Sequence, residues 1–277
     1  MSPNFCLSTK KREKPKTRYK IESRFLKPFA LSMIAKTTGI VLHTLRYKES
    51  SLIVHAYTEH FGRISLLAKG VRNEKKPGHA SLLQPLRIVS MEMYYKPSRE
   101  IQILKEFASL VPNQIFSFDP IKGAVSLFIS ELLYKVLREE EPNEPLFRFL
   151  NQSILQLNQL QKGIANYHLY FAVHLTKYLG FFPSGNFDEQ HCFFDGTSGK
   201  FVQQLKASVN AMPQEESAVL ALLMNISPQS LENVCLNGAQ RSQFLDEIIK
   251  FYQIHLEGMG KIRSIDVLRE VFSADRE

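Results

Sequence analysis

Cysteine is scarce in this chain and tryptophan is missing altogether: 277 residues hold three Cys, at positions 6, 192 and 235. That is too few and too scattered for a disulfide framework, and it fits a reducing compartment, so a cytoplasmic protein is expected. No apolar run approaches the roughly 18 residues that span a bilayer. The longest, over 125–133, is broken by Ser126, Ser130 and Glu131, so no membrane association is expected. A Walker-type phosphate loop, a glycine-rich dinucleotide fingerprint, H-E-x-x-H and G-x-S-x-G are all missing, which argues against a nucleotide-driven engine and the common hydrolases. With no nucleophile and base to pair, an enzyme is not expected. His191 and Cys192 are adjacent but lack the second spaced pair of a tetrahedral zinc site, and Cys235 stands alone. The expectation is no metal, no cofactor, and structural, buried cysteines.

What is present is ordinary globular material, 44% hydrophobic and 22% charged, long enough for one large or two modest domains. The net charge of +8 is unevenly spread. Residues 1–32 hold nine Lys and Arg against two Glu, residues 33–110 twelve against six, and residues 111–277 fourteen against nineteen acids. A basic front and a mildly acidic rear point to different partners, the front being drawn to a polyanion.

Residues 1–32 form a lysine-rich leader with Pro15 and Pro28 and no apolar period, expected to be disordered. No apolar core follows the charges as in a secretory signal, and Glu13 and Glu22 disfavour a mitochondrial presequence. Met33 opens a patterned stretch at once, so translation starting at Met33, with an upstream extension before it, is the first expectation. A functional basic arm is the alternative.

From residue 37 to 107 the pattern is β. Strands are expected over 39–45, 51–58, 63–71, 86–95 and 100–107, with a tight reversal at Glu59-His60-Phe61-Gly62 and a basic loop over 72–80. Five short strands in about seventy residues match an all-β OB-type barrel, whose strands 2 and 3 and neighbouring loops commonly bind ligands, and strand counting leaves other small barrels open. Past Pro112 the period becomes helical. Ile121, Val125, Phe128, Ile129, Leu132, Leu133, Val136 and Leu137 share a face, in a helix starting after Asp119 with Pro120 first and running toward Glu139-Glu140-Glu141. Helices are expected over 146–160, 164–179 (capped by Gly180), 214–224 and 240–256, with a hairpin about Asp195-Gly196-Thr197-Ser198-Gly199. The organisation expected is therefore an OB-type barrel over 33–110 and an all-α helical domain over 111–277, with a small insertion near 185–203.

Most singled-out residues have a structural explanation. His168 and His174 lie six apart on different helix faces and are expected in packing or on the surface rather than as a pair, and Tyr167, Tyr170 and Phe171 lie on an apolar face and are expected in the core. The barrel cations are different. Lys69, Arg72, Lys75 and Lys76 lie within eight residues, and Arg46, Lys48 and Arg63 come from turns or strands of the same module. Such groups can follow a phosphate backbone without reading bases, with Tyr47, Tyr57 and Phe61 as stacking surfaces or as core. Loops are polar whatever they do, so the pattern alone leaves binding and plain solubility open.

The run "GIVLHTLRYKESSLIVHAYTEHFGRISLLAKGVR" over 39–72, followed by a basic loop and "LQP", resembles the N-terminal barrel of the bacterial RecO family of recombination mediators. The resemblance resumes in "LTKYLGFFP" at 175–183 and in "HLEGMGKIRSIDVLREV" near the C-terminus. It implies an OB barrel followed by a helical domain, no active site, binding and annealing of single- and double-stranded DNA, and assistance in loading RecA. It also implies action with RecR and with the acidic, apolar C-terminal tail of the single-stranded-DNA-binding protein. The family's basic surface corresponds to Arg46, Arg63, Lys69 and Arg72, with Lys75 and Lys76 in a variable loop. Many relatives carry a four-cysteine zinc knuckle after the "LGF-P" segment, whereas here Cys192 is the only cysteine in that place. The insertion is therefore expected to be zinc-free and held by packing of Phe193, Phe194 and Phe201. Lys135, Arg138 and Lys177 are basic candidates for the tail site. The rival function is a protein-interaction adaptor whose barrel binds only polypeptides.

Overall fold

A computed structural model describes residues 33–73, 78–111, 119–203 and 210–274. The expectations for residues 1–32, Cys6, Lys75 and Lys76 lie outside the described residues.

Strands β1 (Met33–Tyr47), β2 (Ser51–Thr58), β3 (Gly62–Ala68), β4 (Ile88–Tyr95) and β5 (Ile101–Ser109) close into a barrel in the order β1-β2-β3-β5-β4. The alternation of β2 and β3 builds the wall: Leu52, Val54, Ile64, Leu66 and Ala68 point inward, while Ile53, His55, Arg63, Ser65 and Leu67 point out. Closure comes from a parallel pairing of β3 with β5, Ser65 to Ala68 lying against Ile101 to Leu104. β1 reaches further back than its central apolar run indicates, because Met33 to Ile40 pair with β4, whose partner residues lie 48 to 62 positions away. The barrel interior is its own small core, with Val41, Val54, Leu66, Leu83, Val89 and Met93 shielded from water.

The reversal between β2 and β3 is tight, as expected. The Thr58 hydroxyl donates to the Gly62 carbonyl (3.0 Å) and accepts from the Phe61 amide (3.1 Å). Gly62 has φ +57°, and a Cβ there would lie 2.4 Å from the Glu141 carbonyl oxygen. Backbone twist and close approach both demand glycine.

The rest is helical: α1 (Pro120–Val136), α2 (Glu144–Gln159), α3 (Ile164–Tyr178), α4 (Gln214–Asn225), α5 (Gly238–His255) and α6 (Ser264–Ala274). Asp119 caps α1, its carboxylate accepting from the Lys122 amide at 3.0 Å, with Pro120 in the first helical position. α1 stops at Val136, short of the acidic run, so Glu139-Glu140-Glu141 does not end a helix. It is an exposed segment whose backbone meets the barrel, the Arg63 amide donating to the Glu139 carbonyl at 3.1 Å. α3 ends as the sequence indicates: Gly180 takes φ +87° and the Phe181 amide returns to the Thr176 carbonyl. Tyr167 and Tyr252 are buried with their hydroxyls donating to the Ser153 (2.6 Å) and Ala172 (2.7 Å) carbonyls. Tyr170, Phe171 and His168 are buried beside them.

The insertion is a three-stranded sheet of β6 (Phe193–Asp195), β7 (Lys200–Val202) and β8 (Ala211–Met212), ordered β7-β6-β8. Phe194 and Phe201 are buried against each other with ring centres 5.2 Å apart, and the Asp195 carboxylate holds the turn by accepting from the Thr197 and Ser198 amides. Cys192 is half-buried. Cys235 is exposed and its thiol points to the Asn233 carbonyl, so the expectation of buried cysteines fails there. Among the described residues no group of three or more His, Cys, Asp or Glu is placed to hold a metal ion, and no helix is long and apolar enough to cross a membrane.

All described residues belong to one compact unit. One end of the barrel joins the helical core, Ile40, Leu42, Tyr57, Leu86 and Ile88 packing with the buried faces of the helices. At the opposite end the described residues 45–49, Lys69, Arg72 and Asn73 are exposed.

Candidate nucleic-acid interface

The free end of the barrel is where the cations meet. β1 ends at Tyr47 and turns through Lys48, at φ +53°, into β2. The pairings of Arg46 with Leu52 and of Leu52 with Ala68 put the end of β1, the start of β2 and the end of β3 side by side. Beyond β3 the chain folds back over this turn, the Arg72 amide donating to the Ser50 carbonyl at 3.0 Å. Arg46, Lys48, Lys69 and Arg72, up to 26 positions apart in the chain, thus share one exposed rim. Glu49 is the acid of the β1–β2 turn. Among the described residues no salt bridge engages any of the four cations. Exposed cations with no salt-bridge partner among the described residues are open to an external anion. The Lys48 ammonium stands 5.5 Å from the Tyr47 ring centre, and Tyr47 is exposed.

Arg63 has a different fate. It projects from β3 toward the helical domain, where its guanidinium donates to the Tyr134 (2.8 Å) and Leu137 (2.5 Å) carbonyls at the C-terminus of α1. It also lies over the Tyr134 ring, 4.6 Å from its centre. The carbonyls there carry the negative end of the helix dipole, and the cation satisfies them. Burial pulls the Arg63 pKa down. The same junction holds His43 and His55, whose rings pack on Tyr134 at 4.7 and 5.3 Å; burial, more than any other influence, lowers the pKa of each. Arg63 therefore pins the barrel to the helices, half-buried and with its guanidinium engaged by the α1 carbonyls.

Of the three aromatic candidates, Tyr57 is core, Phe61 packs half-buried on Tyr95 at 4.7 Å, and Tyr47 is exposed. In the helical domain Arg138 donates to the Glu257 (3.1 Å) and Gly258 (2.6 Å) carbonyls and so ties the end of α1 to the α5–α6 connection, while Lys135 faces Glu131 one turn back on α1 at 4.0 Å. The sequence did not disclose the outward apolar residues of the wall. Their signal was the uninterrupted Leu52-Ile53-Val54 and Leu66-Leu67-Ala68, which place apolar groups on both faces of a strand.

A five-stranded OB-like barrel with a cationic free end, carried on a helical domain with a three-stranded insertion, defines the class. The family model described as "Recombination protein O N terminal" matches residues 33–111, and that described as "Recombination protein O C terminal" matches residues 117–264. The chain is 36% identical over 245 residues to the DNA repair protein RecO of Bacteroides fragilis, and 34% over 241 residues to that of Phocaeicola vulgatus. It is 32% identical over 242 residues to the RecO protein of Flavobacterium psychrophilum; each match covers 87% of this chain and 100% of the relative. The chain belongs to the Recombination protein O family.

Proposed function

We propose that this protein is a DNA-binding recombination mediator that holds single strands on the free end of its barrel, anneals complementary strands and helps load RecA. No covalent chemistry is required of it. Arg46, Lys48, Lys69 and Arg72, with Lys75 and Lys76 from the loop outside the described residues, neutralise phosphates and lower the repulsion between two strands. The observation that carries this reading is the exposed rim of four cations, without a salt bridge among the described residues, over which the Arg72–Ser50 hydrogen bond folds the chain. Arg63 is left out of the proposed set because its guanidinium is occupied by the end of α1. Family membership supports RecR, the tail of the single-stranded-DNA-binding protein and, indirectly, RecA as partners, and it extends the rim to double-stranded as well as single-stranded DNA.

The test is annealing of complementary strands coated with their single-strand-binding protein. The wild-type chain accelerates annealing, and the Lys69→Gln, Arg72→Gln, Lys75→Gln, Lys76→Gln quadruple variant loses the acceleration. Unchanged activity in that variant would favour the adaptor reading, in which the barrel binds only polypeptides.

A further inference from the structure

Beside the cationic rim, the outer wall of the barrel carries apolar side chains that neither hydrophobic core uses. Strand pairing sets Leu45 against Ile53, Ile53 against Leu67, Leu67 against Ile103, and Ile103 against Tyr94. Ile53, Leu67 and Ile103 each lie between buried neighbours on their own strands, which fixes them outward. The row ends in exposed groups, Leu45 at 45% and Tyr94 at 38%. Tyr47, two residues beyond Leu45 on the same face of β1, is exposed at 39%. Four strand-to-strand steps of about 4.8 Å carry this row roughly 19 Å around the barrel, with a tyrosine ring at either end.

The two flanks of the row differ in charge. On the side of the free end stand Lys48, next to Tyr47, and Lys69, just past the end of β3 at Ala68; further along this flank Lys105 of β5 pairs with Glu92 of β4 at 3.2 Å. On the other side are His43, His55 and Ser65. There the Ser65 hydroxyl bonds to the His55 ring at 2.9 Å, and both imidazoles are biased toward the neutral form by burial. An apolar row with cations along one edge is complementary to an unpaired nucleic-acid strand, which exposes flat base faces on one side and phosphates on the other. A duplex turns its base faces inward and offers only the phosphates.

Resting on the reading above, we propose that the row from Tyr47 and Leu45 to Tyr94 is the base-contacting half of the strand site. It gives the barrel a preference for unpaired over paired DNA that the cations alone cannot supply. Bases stack on Tyr47 and Tyr94 and cover Ile53, Leu67 and Ile103 between them, while Lys48 and Lys69 follow the backbone.

The experiment compares the full chain with a Tyr47→Ala, Tyr94→Ala double variant and, separately, with Leu67→Thr. Each is titrated with an oligothymidylate strand and with a blunt duplex of equal length over a range of salt. The double variant is expected to bind the single strand at least about tenfold more weakly, with its salt slope and its duplex affinity unchanged within about twofold. Leu67→Thr, on a β-compatible residue, is expected to shift single-strand affinity in the same direction. Equal losses on strand and duplex, or no loss on the strand, overturn the row. The cationic rim survives that result if Lys69→Gln, Arg72→Gln still flattens the salt slope. A wild-type chain that binds neither ligand overturns the row and the DNA-binding reading together.

Discussion

His168 is wholly enclosed on α3, its ring against Phe128 at 5.8 Å and stacked on Phe272 at 5.5 Å. Burial, reinforced by the nearby Arg241 charge, pushes its pKa down to about 3. The unfolded chain takes up this proton near pH 6.5 and the folded chain only near 3, so the unfolded state holds more protons throughout that window. Stability contributed by the neutral ring is complete above about pH 6.5 and drains away as pH falls, at a rate approaching 1.4 kcal/mol per pH unit for one group. His43, His55 and His174 are lowered in the same direction and add to it. Chemical denaturation between pH 7.5 and 5.5 should show this loss, and His168→Phe, which keeps an aromatic ring between the two phenylalanines, should remove part of the slope. An identical slope in the variant would contradict the assignment. That His168 packs rather than reacts could be read from its place on an apolar helix face. Its depressed pKa could not, because Phe272 and Arg241 come from α6 and α5, far along the chain.

Single elements were most legible where the signal is local. Asp119 before Pro120, Gly180 after Leu179, and the Asp195 to Gly199 turn each place their boundary within a residue or two of the observed one. Elements held by distant partners were less so. The first half of β1 exists because β4 pairs with it, and α6 is capped by Glu131 of α1, whose carboxylate accepts from the Arg263 (3.0 Å) and Ser264 (2.8 Å) amides. Arg63 makes the same point for the site, since its charge is visible in the sequence while the α1 carbonyls that engage it are not. Replacing it should therefore act on stability. Arg63→Gln is expected to lose roughly 1.5–3 kcal/mol, the worth of hydrogen bonds to a charged group, while leaving the salt dependence of DNA binding as it was. A variant of native stability with a flattened salt slope would return Arg63 to the proposed DNA surface.

At the scale of the whole molecule, the fold divides its two ends between two tasks. The barrel end bearing Ile40, Leu42 and Tyr57 merges with the helical core, and the opposite end offers Arg46, Lys48, Lys69 and Arg72 to solvent. The basic front and acidic rear of the sequence already carried this polarity. The order in space needed the closed barrel, whose register brings Arg72 back over Ser50. The account stands on phosphate neutralisation at that free end, and the salt dependence of single-strand affinity reads it most directly. Four to six neutralised phosphates give a slope of log K against log salt of roughly −3 to −4 for the wild-type chain, and neutralising Lys69, Arg72, Lys75 and Lys76 together should bring it close to −1. An affinity that does not change with salt, or a slope that survives those four substitutions, would contradict it.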